Sequence, residues 1–116
     1  MQTVLVVDDH EGFRTYARAF LDREGFDVVG EAVDARSAVV EAERLQPDVV
    51  LLDIQLPDGD GFEVAHRLAA EPHPPAIVLI STRDAADYGD RIAACGARGF
   101  ILKSRLSGAA VRELLP

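Results

Sequence analysis

The stretch Val49-Val50-Leu51-Leu52-Asp53 places a carboxylate directly after four consecutive apolar residues. Further short runs rich in aliphatic residues occupy positions 4–7, 27–30, 76–80 and 100–102. Strands of a parallel sheet covered on both faces are nearly continuous in Val, Ile and Leu, and four of the five runs have this character. The run at 27–30 is shorter and is typical of an edge strand. Together the runs predict a parallel sheet that needs helices on both faces.

Helical patterns fill the intervals between the predicted strands. The first predicted helix ends before Gly25, and the second begins after the N-cap candidate Asp34. The fourth contains Gly89 and has only Ala85, Tyr88, Ile92 and Ala93 to bury, so we expect it to be loosely packed. The predicted helices cover residues 11–24, 35–45, 62–70 and 84–95, with a short fifth helix from residue 107. The apolar stripe of the first helix comprises Phe13, Tyr16, Ala17, Phe20 and Leu21.

Strands that alternate with helices specify an α/β fold, a doubly wound sheet whose right-handed crossovers leave few topologies. We expect the flavodoxin-like order 2-1-3-4-5 for the five strands, helices on both faces, and a last helix cut short at Pro116. A chain of 116 residues fits one domain that buries a core without disulfides or a structural metal. No repeat or linker suggests a second domain within residues 1–116.

The composition argues against several classes of protein. Hydrophobic residues make up 48% of the chain and charged residues 28%, as in a water-soluble globular protein. The net charge of −8 argues against direct binding to nucleic acid or to an anionic membrane. The single Cys95 cannot form an internal disulfide, and no apolar run reaches the length of a membrane span. We therefore expect a cytoplasmic protein without a membrane anchor.

Polar residues follow four of the five apolar runs at the point where each run ends. Asp8 and Asp9 follow the first run, Asp53 the third, Ser81 the fourth and Lys103 the fifth. Because the carboxyl ends of parallel strands meet at one edge of the sheet, where ligands bind, we expect these side chains to converge. The sequence therefore predicts a single polar pocket at this edge.

The chemistry of the predicted pocket suits a metal ion and a phosphoryl group. Three neighbouring carboxylates repel one another unless a cation neutralises them, and Mg²⁺ binds few protein oxygens together with phosphate oxygens. An aspartate can attack phosphorus to give an acyl phosphate when cations stabilise the equatorial oxygens. Lys103 supplies a positive charge for this purpose, and the Ser81 hydroxyl can donate a hydrogen bond to phosphoryl oxygens.

Other polar residues have simpler interpretations. An isolated aspartate next to a strand is more often a turn or helix cap than a nucleophile, and we assign Asp58 and Asp60 to that role. His10 neighbours the pocket but has no histidine or cysteine partner, so we interpret it as exposed or outside the ligand set. Cys95 is expected to be a small buried apolar residue.

Several segments together resemble the receiver domain of bacterial two-component response regulators along essentially the whole chain. They are Val6-Val7-Asp8-Asp9-His10, residues 48–53, Leu56-Pro57-Asp58-Gly59 with Gly61, Leu79-Ile80-Ser81, and residues 96–103. Each segment is weak by itself, but their order and spacing are specific. Residues 28–32 and the pair Lys103-Ser104 further resemble receivers that precede a LuxR/NarL-type helix-turn-helix domain.

The resemblance implies a role for each residue of the pocket. Asp53 is the implied phosphoacceptor, and Asp9, Asp53 and the backbone carbonyl of Gln55 are implied to bind Mg²⁺. Asp8 is implied to act mainly through metal-bound water. Ser81 and Lys103 are implied to contact the phosphoryl group.

The resemblance also implies a switch and a control on its lifetime. Ser81 and Phe100 form the implied switch, in which the hydroxyl moves toward the phosphoryl group and the ring turns into the space it leaves. Phosphorylation then alters the face formed by the fourth helix, the fifth strand and the fifth helix. Gln55 and Arg83 occupy positions that tune dephosphorylation in the family, and Thr82 is bulkier than the residue common there.

The function implied for the chain is a phosphorylation-dependent switch. A sensor histidine kinase is the implied phosphoryl donor, transcription is the implied output, and the only catalysis is of the domain's own phosphorylation and dephosphorylation. A DNA-binding effector domain is expected to follow residues 1–116 in a longer protein, and the face of the fourth and fifth helices is a possible homodimer contact.

Three alternative functions are open at this stage. A phosphatase of the haloacid dehalogenase type also uses a strand-end aspartate with Mg²⁺, but it needs a second aspartate where this chain has Gln55. A pseudo-receiver that only binds proteins usually lacks part of the acidic set, which is complete here. A nucleotide-binding flavodoxin-like module would need a glycine-rich phosphate loop, and none is present.

Overall fold

A computed structural model describes residues 1–115. Five parallel strands form the central sheet in the order β2-β1-β3-β6-β7, which is the predicted order 2-1-3-4-5 when only the strands of this sheet are counted. The five strands are β1 (Thr3–Val7), β2 (Asp27–Ala32), β3 (Val49–Asp53), β6 (Ala76–Ser81) and β7 (Gly99–Leu102). The predicted flavodoxin-like fold is therefore confirmed.

A small hairpin between β3 and the third helix was not predicted from the sequence. Its strands β4 (Gln55–Leu56) and β5 (Gly59–Asp60) have two residues each and pair antiparallel. Two residues are too few to show an alternating hydrophobic pattern, so the sequence carries only its turn residues as a signal. The hairpin lies directly after Asp53 and shapes one side of the site.

The two faces of the sheet explain why its strands are continuously apolar. In β3, Val49 and Leu51 pack into one buried cluster, whereas Val50 and Leu52 pack into the cluster on the opposite face. Successive side chains of a strand point to opposite faces, so both positions must be apolar when both faces are covered. All four of these side chains are fully buried, and each contributes roughly 1.5–3 kcal/mol of burial free energy.

Three helices begin and end within one residue of their predicted bounds. They are α1 (Glu11–Arg23), α2 (Ala35–Leu45) and α3 (Gly61–Ala69). The predicted cap Asp34 accepts a hydrogen bond from the Ser37 amide at 2.8 Å, and the Ser37 hydroxyl lies within bonding distance of the Asp34 amide. This reciprocal capping satisfies two amides that the helix leaves free.

Tyr16 does not lie in the core as the stripe of α1 predicts. It is 54% exposed, although its ring contacts Phe20 edge-on with 5.2 Å between centroids. The stripe covers the sheet through Ala17, Phe20 and Leu21, which are buried. Tyr16 lies at the border of the stripe, where its hydroxyl end can remain in water.

The prediction of a continuous helix over residues 84–95 is wrong. The segment contains one 3₁₀ turn, Ala85–Asp87, and one short helix, α4 (Arg91–Ala94). Between them Gly89 has a φ of +57°, a left-handed conformation that interrupts an α-helix and that glycine adopts at little cost. Ala85 and Ala93, which were expected to be buried, are exposed. The segment has too few apolar side chains to hold a continuous helix against the sheet.

The last described helix, α5 (Gly108–Glu113), is as short as expected. The Ser107 hydroxyl caps it by accepting a hydrogen bond from the Ala110 amide at 3.0 Å, and the helix contributes the fully buried Val111 to the core. The predicted stop at Pro116 lies outside the described residues. Among residues 1–115, no helix is both long enough and apolar enough to cross a membrane.

Candidate functional site

The carboxyl edge of the sheet brings together the residues that the sequence placed at strand ends. Asp53 is the last residue of β3 and Ser81 the last of β6, while Asp8 and Lys103 directly follow β1 and β7. Neighbouring parallel strands are in register here, with Asp53 beside Ile80 of β6. Asp8, Asp53 and Ser81 are the buried polar residues of the described chain. The strand ends therefore meet at one edge as predicted, although Asp8 and Ser81 do not line the pocket there.

Lys103 joins the two buried carboxylates. Its Nζ lies 2.5 Å from Asp8 Oδ2 and 3.3 Å from Asp53 Oδ2, and the side chain is only 14% exposed. The ammonium group also lies 4.5 Å from the centroid of the Phe13 ring, a favourable cation–π contact. One cation thus faces two buried anions, which leaves the pair of carboxylates incompletely neutralised.

The two carboxylates respond differently to this arrangement. Burial opposes ionisation of Asp8, but the hydrogen bonds from Lys103 and from the His10 amide outweigh burial and lower the pKa of Asp8. Burial dominates at Asp53 and, despite the Lys103 charge, raises the pKa of Asp53 to about 6. Burial likewise disfavours the charged form of Lys103, but the hydrogen bond to Asp8 and the negative charges of Asp53 and Asp8 together outweigh burial and raise the pKa of Lys103. Without a second cation, Asp53 is the group that bears the excess negative charge.

A second cluster joins Asp8 to the loop after β1. His10 Nδ1 lies 3.1 Å from Asp8 Oδ1 and 3.0 Å from Asp9 Oδ1, and ligand atoms of all three residues lie within 4.8 Å of one another. His10 is 71% exposed, in line with its sequence interpretation, yet it belongs to the acidic cluster that the sequence assigned to Asp8 and Asp9. Asp53 lies outside this cluster and is connected to Asp8 through Lys103.

An open pocket lies over Asp53. The backbone amide of Gln55 donates a hydrogen bond to Asp53 Oδ1 at 3.1 Å, which fixes the carboxylate beside the hairpin. Thr82 also lines the pocket, whereas Arg83 is exposed and does not line it. The lining residues are Asp9, His10, Asp53, Gln55, Leu56, Pro57, Thr82 and Lys103.

Ser81 is buried at the strand end but does not line this pocket. Its hydroxyl lies 2.6 Å from the Tyr88 hydroxyl and accepts a hydrogen bond from the Arg83 amide at 3.0 Å. The sequence prediction missed this contact because it placed Tyr88 on a continuous helix as a packing residue. Phe100, which the resemblance implies to move together with Ser81, packs against Tyr88 with 6.1 Å between ring centroids.

The loop residues next to the pocket have the structural roles predicted for them. Asp60 caps α3 by accepting a hydrogen bond from the Glu63 amide at 2.9 Å. Asp58 accepts hydrogen bonds from the Ala35 and Arg36 amides at 2.7 and 3.1 Å, and so ties the hairpin to the start of α2. Both aspartates are caps, as expected.

Gly61 allows this loop to lie against the end of β3. A Cβ atom at position 61 would lie 2.5 Å from the Asp53 carbonyl oxygen and 2.9 Å from the Ile54 Cα atom. The Gly61 amide donates a hydrogen bond to the Ile54 carbonyl at 2.7 Å. The position of the Asp53 backbone therefore depends on the absence of a side chain at Gly61.

The strand order and the strand-end pocket define a flavodoxin-like α/β domain with a ligand site at its carboxyl edge. The chain belongs to the response regulator receiver domain family, whose match covers residues 4–112. It is similar to the response regulator GacA of Pseudomonas aeruginosa, with 34% identity over 99% of this chain and 52% of GacA.

Solved structures support the same assignment. The signal receiver domain of the response regulator NarL from Mycobacterium tuberculosis is 33% identical, with a TM-score of 0.84 over 97% of this chain and 95% of that chain. A LuxR-family response regulator from Aurantimonas is 26% identical, with a TM-score of 0.87 over 97% of this chain and 81% of its own. The resemblance to LuxR/NarL-type receivers is thus confirmed.

The comparisons bear on function as well as on fold. Receiver domains are phosphorylation-dependent switches of two-component signalling rather than conventional enzymes, and this chain is one of them. The chain spans about half the length of the curated relatives it matches. The complete activity of those longer proteins is therefore not assigned to residues 1–115.

Proposed function

We propose that Asp53 accepts a phosphoryl group from a sensor histidine kinase and thereby switches the domain. The observation that carries the proposal is the position of Asp53 on the floor of an open pocket, with Lys103 3.3 Å away. A carboxylate oxygen attacks phosphorus, the P–O bond to Asp53 forms, and the P–N bond of the donor breaks. The leaving imidazole nitrogen keeps the bonding electron pair and takes up a proton from solvent.

The residues around Asp53 supply positioning and charge. The Gln55 amide holds Oδ1 of Asp53, which limits rotation of the nucleophile before the reaction. Lys103 already faces the pocket and would donate to the phosphoryl oxygens as negative charge develops on them. The domain would thus catalyse its own phosphorylation, and water entering the same pocket would hydrolyse the product.

The donor set fits Mg²⁺. Asp8, Asp9 and Asp53 provide hard carboxylate oxygens, Gln55 of the pocket lining would add its backbone carbonyl, and Lys103 alone does not neutralise the buried pair. Asp9 and Asp53 with the Gln55 carbonyl would hold the ion, and Asp8 would act through its bound water. When bound, Mg²⁺ supplies the positive charge that offsets the carboxylates and the phosphoryl oxygens together.

Other residues would control how long the phosphoryl group lasts and how it is sensed. Ser81 would donate its hydroxyl to the phosphoryl group, and Phe100 would move with it. Thr82 and Gln55 line the pocket and would limit the access of donor or water. Arg83 is exposed and lies two residues after Ser81 in the chain. Its positive charge would either shield the phosphoryl group or add charge next to it.

The output is proposed to be transcription in a longer, cytoplasmic protein. Residues 1–116 would form its receiver, followed by a DNA-binding domain, in line with the response regulators that it matches over about half their length. The net charge of −8 argues that DNA is bound by that other domain. The face of α4, β7 and α5 would carry the signal, through a homodimer or through the effector domain.

The proposal is tested by incubation with phosphoramidate, with and without Mg²⁺, followed by intact-mass measurement. The wild type is expected to gain one phosphoryl group only with Mg²⁺, and Asp53→Asn is expected to gain none. Asp22→Asn, which removes an exposed carboxylate of α1, serves as the matched control and should behave as the wild type. A folded wild type that gains no mass would contradict phosphorylation and indicate a pseudo-receiver.

A further inference from the structure

Tyr88 holds the Ser81 hydroxyl in the described conformation. The two hydroxyl oxygens are 2.6 Å apart, and Ser81 is fully buried. The Tyr88 ring is half-buried and contacts Phe62 edge-on, with 5.5 Å between centroids. These contacts place the tyrosine hydroxyl at Ser81, the last residue of β6.

The position of the Ser81 hydroxyl makes this contact competitive: whichever of the two hydroxyls is the donor, Ser81 does not line the pocket and must leave Tyr88 to enter it. A serine hydroxyl has one proton and two acceptor positions, and Ser81 Oγ already accepts from the Arg83 amide. Phosphoryl oxygens at neutral pH are mainly acceptors, so Ser81 must direct its proton into the pocket to bind them. A serine side chain has a single heavy-atom torsion, and a rotation that brings Oγ into the pocket carries it away from its present partner.

We propose that Tyr88 is a positioning residue that holds the Ser81 hydroxyl out of the pocket until a phosphoryl group on Asp53 competes for it. This inference rests on the proposed function of Asp53. Phosphorylation breaks the hydrogen bond between Ser81 and Tyr88, and the loss of that bond frees the tyrosine hydroxyl. Phe100 cannot take this role because it has no hydroxyl group.

The release of Tyr88 has consequences for the segment around it. Between residues 82 and 94, Tyr88 and Ile92 are the partly buried positions and all others are exposed. Arg91 adds a salt bridge to Asp60 at 2.9 Å and lies 4.3 Å from the Phe62 ring centroid. Because so few contacts hold the segment, loss of the Tyr88 hydroxyl contact shifts it more readily than any helix that covers the sheet. The proposed switch therefore couples pocket occupancy to this segment.

The test compares Tyr88→Phe with the wild type, because this change removes only the hydroxyl group. The measurement is the apparent affinity for beryllofluoride, a phosphoryl mimic, with Mg²⁺, from the ¹⁹F resonances of the bound fluoride. Without the competing hydrogen bond, Tyr88→Phe is expected to bind about 2- to 10-fold more tightly. Tyr16→Phe removes the same group from an exposed ring and should leave the affinity unchanged. An affinity of Tyr88→Phe equal to or weaker than that of the wild type overturns the inference.

A double-mutant cycle separates positioning from a general structural effect. In a Ser81→Ala background the hydroxyl contact is already absent, so Tyr88→Phe is expected to change the affinity no further. If the gain from Tyr88→Phe persists without the Ser81 hydroxyl, the tyrosine does not act through Ser81 and the inference fails.

A second readout applies to the wild-type ring itself. The chain has two tyrosines, so 3-fluorotyrosine labelling gives two resonances that Tyr16→Phe assigns. The Tyr88 resonance should move when beryllofluoride binds to the wild type, and should move less in Ser81→Ala. A Tyr88 resonance that stays fixed in a wild type saturated with beryllofluoride overturns the inference alone. A folded wild type that neither binds beryllofluoride nor accepts phosphoryl groups overturns the proposed function instead.

Discussion

Asp53 and Asp8 are equivalent by residue type but not by environment. Asp8 has the shorter contact with Lys103, at 2.5 Å against 3.3 Å, and it also accepts a hydrogen bond from the His10 amide at 2.8 Å. Asp53 has the Gln55 amide and the more distant lysine. Burial therefore dominates at Asp53, and the carboxylate with the least internal compensation is the one that opens on the pocket.

This imbalance predicts that Asp53→Asn stabilises the metal-free protein at neutral pH. The folded-state pKa of Asp53, raised by burial from 3.8 to about 6, lies above its unfolded value. Ionisation of Asp53 therefore lowers the stability of the folded state. This loss of stability is absent below pH 3.8 and complete above pH 6. In EDTA, urea denaturation should show Asp53→Asn about 3 kcal/mol more stable than the wild type at pH 7 and nearly equal to it near pH 4.

Magnesium should reverse the comparison, because only the wild type has the full set of carboxylates for the ion. Adding Mg²⁺ is expected to raise the midpoint of wild-type unfolding and to change Asp53→Asn little. A metal-free Asp53→Asn that is less stable than the wild type at pH 7 would show that Asp53 is not the uncompensated charge.

Among the elements, the loop from β3 to α3 is held by close local contacts. Gly61 packs on the Asp53 carbonyl and Asp60 caps α3, so backbone positions on both sides of the nucleophile are fixed by local contacts. The segment around α4 is the opposite case, since Gly89 interrupts it and few side chains bury. The site thus lies between a fixed loop and a loosely held one.

Gly61→Ala is predicted to destabilise the domain. Its Cβ would overlap backbone atoms at 2.5 and 2.9 Å, and backbone cannot give way as a flexible side chain can. We expect a loss of about 1–3 kcal/mol in the free energy of unfolding, measured by urea denaturation. Gly12→Ala is the matched control, because an added Cβ there meets nothing within 4 Å. A Gly61→Ala protein as stable as Gly12→Ala would disprove the close packing of the loop on β3.

The elements that the sequence predicted well are those with strong periodic patterns. The stripes of α1 and α2 and the apolar runs of the strands each allow one assignment of secondary structure and buried face. Any other assignment would expose several large side chains. The segment over residues 84–95 has no such constraint, and the short hairpin has too few residues for a pattern. Tyr16 was misplaced because an amphipathic ring at the border of a stripe is compatible with either side.

At the scale of the molecule, the pocket followed from topology. Parallel strands all end at one edge, so residues that are 95 positions apart, as Asp8 and Lys103 are, could be placed together from their strand ends alone. Side-chain direction could not be obtained in this way. Ser81 ends β6 as expected, yet its hydroxyl is bonded to Tyr88 and does not line the pocket. The direction of the Ser81 hydroxyl depends on the conformation of the loop that carries Tyr88. That loop has no periodic hydrophobic pattern from which its conformation could be predicted.

The measurement that tests the central claim most directly is chemical identification of the phosphorylated residue. Borohydride reduces an acyl phosphate to an alcohol, so phosphorylated Asp53 would become homoserine, and peptide mass spectrometry would locate it. After treatment with phosphoramidate and Mg²⁺, we expect homoserine at position 53 and at no other aspartate of the pocket. Homoserine at Asp8 or Asp9, or a phosphoryl group stable to borohydride on another residue type, would contradict it.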